Sequence, residues 1–428
     1  MKDISGKATL SRNQSLWEQL GPGLITGAAD DDPSGIATYS QVGAAFGYGL
    51  LWTALFTWPL MVGIQMVCAR IGRVSGTGIA ANMRMYSSPW ILYGVVGLLL
   101  LANTINIAAD IGAMGAALKL LIHGPALLYV VLFAALSAVL QVFTRYSRYV
   151  SYLKYLCLAL FSYVICAFMV KVPWQDVGWA IIWPPFSAAP DYLMAITAVL
   201  GTTISPYLFF WQANQEVEDE KERAGARPLI HAPKQAPAEF ARIRIDTYIG
   251  MAISNIIALF IVITTAATLH AKGVTDIQTS AQAAEALRAV AGPFTFAVFA
   301  AGIIGTGLLA VPVLAGSAAY ALGETLGWHV GLARRPRRAK AFYATIAAGM
   351  VLGAALNFSP IDPIKALYWS AVLNGVVAVP VMAMMMHLTM RPAIMARFTL
   401  PGPLRAMGWL ATAAMAVTVV AMLVSWWG

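Results

Sequence analysis

Long apolar runs alternate with short polar connections along the whole chain. Eleven runs are almost continuously apolar, at about 23–47, 50–71, 90–121, 125–143, 150–170, 192–212, 246–270, 293–325, 341–358, 366–388 and 405–427. Most reach the roughly 17 to 25 residues that a helix needs to cross a hydrocarbon core. The pattern therefore predicts eleven spanning helices and an all-α integral membrane protein. No repeat of 20 to 50 residues is visible, which excludes solenoids and propellers. A larger symmetry is present instead. The first and sixth runs are each interrupted by a proline in a polar patch, Asp30-Asp31-Asp32-Pro33-Ser34-Gly35 and Gly201-Thr202-Thr203-Ile204-Ser205-Pro206. Five spans separate the two interruptions, so the second copy enters the membrane from the opposite side. Paired broken helices in two inverted halves mark the midplane site of a secondary transporter. The expected organisation is one transmembrane domain over residues 1–428. A first repeat covers about 20–170, a second about 190–388, and an extra span about 405–427.

Composition agrees with this picture and removes the soluble alternatives. Of 428 residues, 59% are hydrophobic and 11% charged, with a mean hydropathy of +0.71, whereas soluble domains carry about a quarter charged residues. A soluble enzyme, a disordered chain and a nucleic-acid-binding domain are excluded, and the lipid bilayer is the expected surrounding. The net charge of +9 follows from topology. If the spans alternate, all of the 28 basic residues except Lys119, Lys171, Lys272, Arg288 and Lys365 lie on the side of the N-terminus. The positive-inside rule makes that side the cytoplasm, with the Trp426-Trp427-Gly428 end outside. The first sixteen residues, with Lys2, Asp3, Lys7 and Arg12, are too polar for a signal peptide. A bacterial inner membrane is the expected location and a monomer the expected form.

Three polar segments have plain readings. Arg334-Arg335-Pro336-Arg337-Arg338 reads as a positive-inside anchor, with a lipid-headgroup site as the alternative. Glu216 to Arg223 reads as a solvated helix extension, with a metal-attracting segment as the alternative. Ala224 to Ala238, with Pro228, Pro233 and Pro237, reads as a flexible linker between halves. Cys68, Cys157 and Cys166 lie inside apolar runs without the spacing of a disulfide framework or zinc site.

The candidate chemistry sits at the two interruptions. An acid at the centre of a spanning helix costs about 2.5 to 3.5 kcal/mol. Asp30, Asp31 and Asp32 must therefore face protein, water or a cation, unless they lie at the cytoplasmic end of the span. A helix broken at Pro33 also frees backbone carbonyls, and carboxylates with carbonyls suit a hard cation. The sixth run adds the hydroxyls of Thr202, Thr203 and Ser205, with Tyr207 beside them. The alternative for those hydroxyls is a bond back to the preceding helical turn.

These residues resemble the Nramp divalent-metal transporters. The resemblance rests on Gly21-Pro22-Gly23, on Asp-Pro-Ser-Gly in the first span, on a proline-centred break in the sixth, and on eleven spans with an inside N-terminus. It implies a LeuT-like fold of two inverted five-helix repeats plus an eleventh helix, with the first and sixth helices broken. It also implies metal ligation by Asp32, with the backbone carbonyls of Ala29 and Thr202. This chain departs from the family in several places. Gly35 stands where the family has a ligating Asn, Ser205 where it has a Met, and Tyr207 where it has a His. In the third span Asp110 matches a proton-path acid, but Ala113 replaces the Glu that follows it. Asn374 is the nearest candidate for a polar tenth-span ligand, two residues out of register. Asp32 is expected to be the principal ligand, with Asp30 and Asp31 completing the site or attracting the ion. The departures are similar to those of the Nramp-related magnesium transporters, a branch lacking the sixth-span Met.

Oxygen donors favour Mg²⁺, Mn²⁺ and Ca²⁺ over softer metals, and small residues at 35 and 205 imply a wider, wetter cavity for an ion that keeps its waters. The expected function is divalent-cation transport by alternating access, not strictly proton-coupled, with the ion as substrate and no cofactor. Alternatives are a proton-coupled Mn²⁺/Fe²⁺ symporter, an organic-solute symporter on the same architecture, a transport-dead sensor, and an intramembrane protease pairing Asp32 with Asp110. The protease lacks its Gly-x-Gly-Asp context, and no phosphate-binding Gly-x-x-x-x-Gly-Lys-Ser/Thr loop supports an ATP-driven pump.

Overall fold

The structure is a computed structural model that describes residues 21–144, 146–183, 187–277, 280–359 and 363–425. The expectations for Lys2, Lys7, Arg12, Arg145 and the Trp426-Trp427-Gly428 end fall outside those residues. Among the described residues all regular structure is helical. The first traverse is split into α1 (Pro22–Asp30) and α2 (Pro33–Phe46). Next come α3 (Trp52–Ser75), the short α4 (Ile79–Tyr86), α5 (Pro89–Ile122) and α6 (Ala126–Phe143). The fifth traverse is α7 (Tyr146–Leu156) continued by a 3₁₀ turn into α8 (Phe161–Met169), and α9 (Trp174–Ile182) follows it. The sixth is split into α10 (Pro190–Thr203) and α11 (Pro206–Glu222). The remainder are α12 (Ala236–Thr268), α13 (Ser280–Leu326, kinked at Gly292), α14 (Lys340–Leu356), α15 (Pro363–Thr389), the single turn α16 (Pro392–Met395) and α17 (Gly402–Ser425).

Among the described residues nine helical segments are long and apolar enough to cross a membrane. The broken pair α1/α2 and the 17-residue α14 occupy the other two stretches that the hydropathy pattern marks. Proline opens α1, α2, α5, α10 and α11, where its missing N–H costs nothing. At Pro33 and Pro206 the same residue also ends the preceding helix, because the residue before a proline is pushed out of the helical region. The two breaks follow the same backbone course. Asp31 (φ −87, ψ 52) and Ile204 (φ −122, ψ 57) leave the helix, and Asp32 (ψ 168) and Ser205 (ψ 134) are extended.

The broken first traverse lies at the centre. Helix α12 runs along both of its halves, with α11 and α13 against α1, and α5, α10, α13 and α15 around α2. Helix α14 and α6 cover the outside of α5, and α17 covers α10, α15 and α3. The α1–α12 contact is close enough to require glycine on both sides. A Cβ on Gly27 would run into the Gly250 carbonyl, and one on Gly250 into the Gly23 carbonyl.

Two plain readings of the polar segments are corrected here. The acidic run is an extension of α11, but only its end at Lys221 and Glu222 is exposed, while Glu216, Glu218 and Glu220 are buried. Glu216 is 0% and Glu218 2% exposed. Each has found a donor inside the fold: Arg242 pairs with Glu216, and the Ala333 N–H donates to Glu218 at 3.1 Å. Nor does the proline-rich stretch from 224 hang free. The Leu229 and Ile230 N–H groups donate to the Arg73 and Val74 carbonyls, each at 3.2 Å, and Leu229 is fully buried. The Arg334 to Arg338 segment, by contrast, is largely exposed.

Candidate metal site

The break between α1 and α2 places unlike helix ends side by side. Helix α1 finishes with carbonyls that have no partner within the helix, and α2 starts with free N–H groups. Asp32 is the N-cap of α2, and its Oδ1 accepts from the Gly35 N–H at 2.6 Å. Asp110, reaching from α5, accepts from the next free donor, the Ser34 N–H, at 3.2 Å. Two carboxylates thus share the positive end of one helix, where such charges are stabilised. The Ser34 hydroxyl lies 3.2 Å from that of Ser370 on α15, which ties the third element to the same point.

The second oxygen of Asp32 faces the Ala29 carbonyl across the break. The Tyr207 hydroxyl, near the start of α11, stands between them, 3.1 Å from Asp32 Oδ2 and 3.0 Å from the Ala29 oxygen. Side chain, carbonyl and hydroxyl from both broken traverses therefore meet at one buried spot. Asp30 and Asp31 end α1, immediately before the break. Asp30 Oδ2 accepts from Ser254 on α12 at 2.8 Å, while its Oδ1 and both oxygens of Asp31 have no hydrogen-bond partner although fully buried. One Asp110 oxygen is likewise unpartnered. Among the described residues no three His, Cys, Asp or Glu side chains gather as a ready-made metal cage. Carbonyl and hydroxyl oxygens would have to complete any ligand set.

The other expected ligands are placed less directly. The Ser205 hydroxyl bonds back to the Gly201 and Thr202 carbonyls at 2.9 and 2.7 Å, and Thr203 does the same to Val199 at 2.6 Å. These two hydroxyls follow the bland alternative, and the Thr202 carbonyl is already engaged. Asn374 Oδ1 accepts from Asn106 of α5 at 3.0 Å, a bond between helices. The extra room expected beside Gly35 is filled. A Cβ there would meet Thr202 Oγ1 at 3.0 Å and the Asp30 carbonyl at 3.1 Å.

Sequence reading missed the residues of α12. Asp246, Gly250 and Ser254 recur every fourth position and face α1 as one stripe. Asp246 accepts from the Gly21, Gly23 and Leu24 N–H groups at 2.9, 2.7 and 3.0 Å and so caps α1 from another helix. The i, i+4, i+8 spacing of small and polar residues in an apolar run was the available signal.

Comparison with known proteins agrees with this geometry. A family model described as "Natural resistance-associated macrophage protein-like" matches residues 23–425. The chain is 25% identical to the divalent metal cation transporter MntH of Erwinia tasmaniensis over 309 residues, 71% of each protein. It is 27% identical to MntH of Ralstonia nicotianae over 322 residues, 70% of this chain and 69% of the relative. Among solved structures, a manganese transporter of Eremococcus coleocola superposes with a TM-score of 0.73 at 18% identity, covering 99% of this chain and 90% of that one. The nucleobase-cation-symport-1 transporter Mhp1 superposes at 0.58 and 15% identity, covering 95% and 92%. The fold is LeuT-like, with the first and sixth helices broken.

Proposed function

The chain belongs to the Nramp family, and from that premise we propose that it carries divalent cations across a membrane by alternating access, with Mg²⁺ and Mn²⁺ favoured. One observation carries the reading: the Ala29 carbonyl and Asp32 carboxylate converge on a single buried point at the end of α1, where one oxygen of Asp30 and both of Asp31 are buried without a hydrogen-bond partner. A divalent ion compensates that charge, whereas an anionic substrate would add to it. The groups that meet there are all oxygens, which suit hard ions better than soft ones. The carrier names of the relatives point the same way. In this reading the two halves, about 20–170 and 190–388, rock about the breaks, and the basic connections face the cytoplasm.

Strict proton coupling is not part of the proposal. The polar line on α5 runs Asn103, Asn106, Asp110, Ala113, and its two amides are held by Ser317 with the Leu314 carbonyl and by Asn374. One titratable group on that line is no relay, since proton transfer needs successive groups within hydrogen-bond or one-water reach. The membrane potential supplies about 2.3 kcal/mol per charge per 100 mV instead.

The test is uptake into proteoliposomes of Mg²⁺, Mn²⁺ and Cd²⁺ beside a panel of amino acids, with a pH dye inside and the potential clamped. Saturable Mg²⁺ and Mn²⁺ uptake without stoichiometric acidification is expected. Amino-acid uptake alone, or a preference for Cd²⁺ by orders of magnitude, overturns the ion assignment, and stoichiometric acidification overturns the coupling.

A further inference from the structure

We infer that the Tyr207 hydroxyl is a resident stand-in for the cation: it occupies the meeting point of the Ala29 carbonyl and Asp32, and an ion that binds directly must displace it. This deepens the transport reading and rests on it. Tyr207 sits at the second position of α11, directly after Pro206, so the sixth-traverse break aims its ring across the first. The residue is fully buried. Its oxygen lies 3.0 Å from one acceptor and 3.1 Å from the other, which is hydrogen-bond spacing to both.

A phenol has one proton to give. Donated to Asp32 Oδ2, it leaves the Ala29 carbonyl facing a phenol oxygen with no hydrogen between them. Donated to Ala29, it leaves the carboxylate in the same position. With Asp32 ionised, three electron-rich oxygens share one proton and make an under-compensated cluster, next in the chain to Asp31, whose buried carboxylate oxygens have no hydrogen-bond partner. A divalent cation satisfies such oxygens together at about 2.0 to 2.6 Å. The Ala29 carbonyl and Asp32 Oδ2 are the two groups free to do so, because Asp32 Oδ1 is held by Gly35. With the hydroxyl between them they are occupied.

Selectivity follows from that competition. An ion that gives up its waters readily can replace the hydroxyl and bind both oxygens. An ion that keeps its waters, as Mg²⁺ prefers to, is held through them with the tyrosine still in place. Removing the hydroxyl should thus help Mn²⁺ more than Mg²⁺.

The experiment titrates detergent-purified full-length wild type and Tyr207→Phe with Mn²⁺ and with Mg²⁺ by calorimetry, and follows thermal unfolding with and without each ion. In Tyr207→Phe we expect Mn²⁺ to bind about tenfold tighter, the change that the loss of one competing hydrogen bond to a charged group corresponds to. Mg²⁺ affinity should move less, and the ion-free protein should melt earlier than wild type, with the difference recovered by Mn²⁺. Tyr207→Leu, which also lacks a donor, serves if the phenylalanine variant does not fold. Unchanged or weaker Mn²⁺ binding in a folded variant overturns the inference and makes the hydroxyl a ligand or a bystander, while wild-type uptake would leave the transport reading intact. A wild type that neither binds nor carries divalent ions, beside a Tyr207→Phe protein that binds Mn²⁺, overturns the transport reading and leaves this one standing. Absence of binding by both overturns both.

Discussion

Asp246 and Asp31 are aspartates buried at opposite ends of helix α1, and the fold treats them in opposite ways. Asp246, brought by α12 to the N-terminal end, receives three backbone N–H bonds and lies within reach of Arg242 at 4.0 Å. Asp31, at the C-terminal end, receives none. The helix dipole favours negative charge at the first position and opposes it at the second. What distinguishes them is therefore not residue type or depth but which end of a helix each one meets. The acids around Asp246 share its condition. Arg242 joins Glu216 and Glu239, Arg73 joins Glu220 and Glu239, and Glu324 caps α4 through the Gly78 and Ala81 N–H groups at 2.9 and 3.1 Å. Those acids link α1, α3, α11 and α12, and Glu324 links α13 to α4. At the break, among the described residues, the negative end of α1 carries three buried carboxylate oxygens of Asp30 and Asp31 without a hydrogen-bond partner.

The comparison makes stabilising acids and ion-seeking acids separable by mutation. The largest effect is expected at Asp32, which belongs to both classes because it caps α2 and faces the site. Asp32→Ala should lower saturable Mn²⁺ uptake by at least about a hundredfold, the effect of losing over roughly 2.7 kcal/mol of ion binding. The protein should still elute as a folded species. Uptake at the wild-type rate would remove Asp32 from the site.

At Asp246 the expected loss is in stability. Asp246→Ala strands three donors at the start of α1, and hydrogen bonds to a charged group are worth about 1.5 to 3 kcal/mol each before relaxation. A loss of about 2 to 4 kcal/mol should appear as a lower melting temperature in detergent. Asp31→Asn should move the other way, by about 1 kcal/mol, because it removes a buried charge without partners. Measured side by side without divalent ions, the two variants test the comparison directly. A drop in Asp31→Asn as large as that of Asp246→Ala would show that Asp31 is anchored after all. The smallest effect is expected for Ser254→Ala, which deletes one bond to Asp30 and should cost about 1 kcal/mol. No loss there would mean that Asp30 is held from elsewhere.

Hydropathy alone marked the apolar stretches that become the long helices, because burial in lipid demands uninterrupted apolar length and local sequence records it. Proline determined the breaks at 33 and 206, since its ring acts on the residue beside it. The aspartate triplet marked the candidate site, because acids in an apolar run have few explanations. What each acid does was a tertiary matter. Glu216 and Glu218 look like surface charges in the chain, yet Arg242 lies 26 residues from Glu216 and the Ala333 N–H 115 residues from Glu218. The Asp246 cap closes over 222 to 225 residues. The Tyr207 bridge spans 175 and 178 residues. A hydrogen bond depends on position to a few tenths of an ångström, and only the packing of α1 against α11 and α12 supplies it.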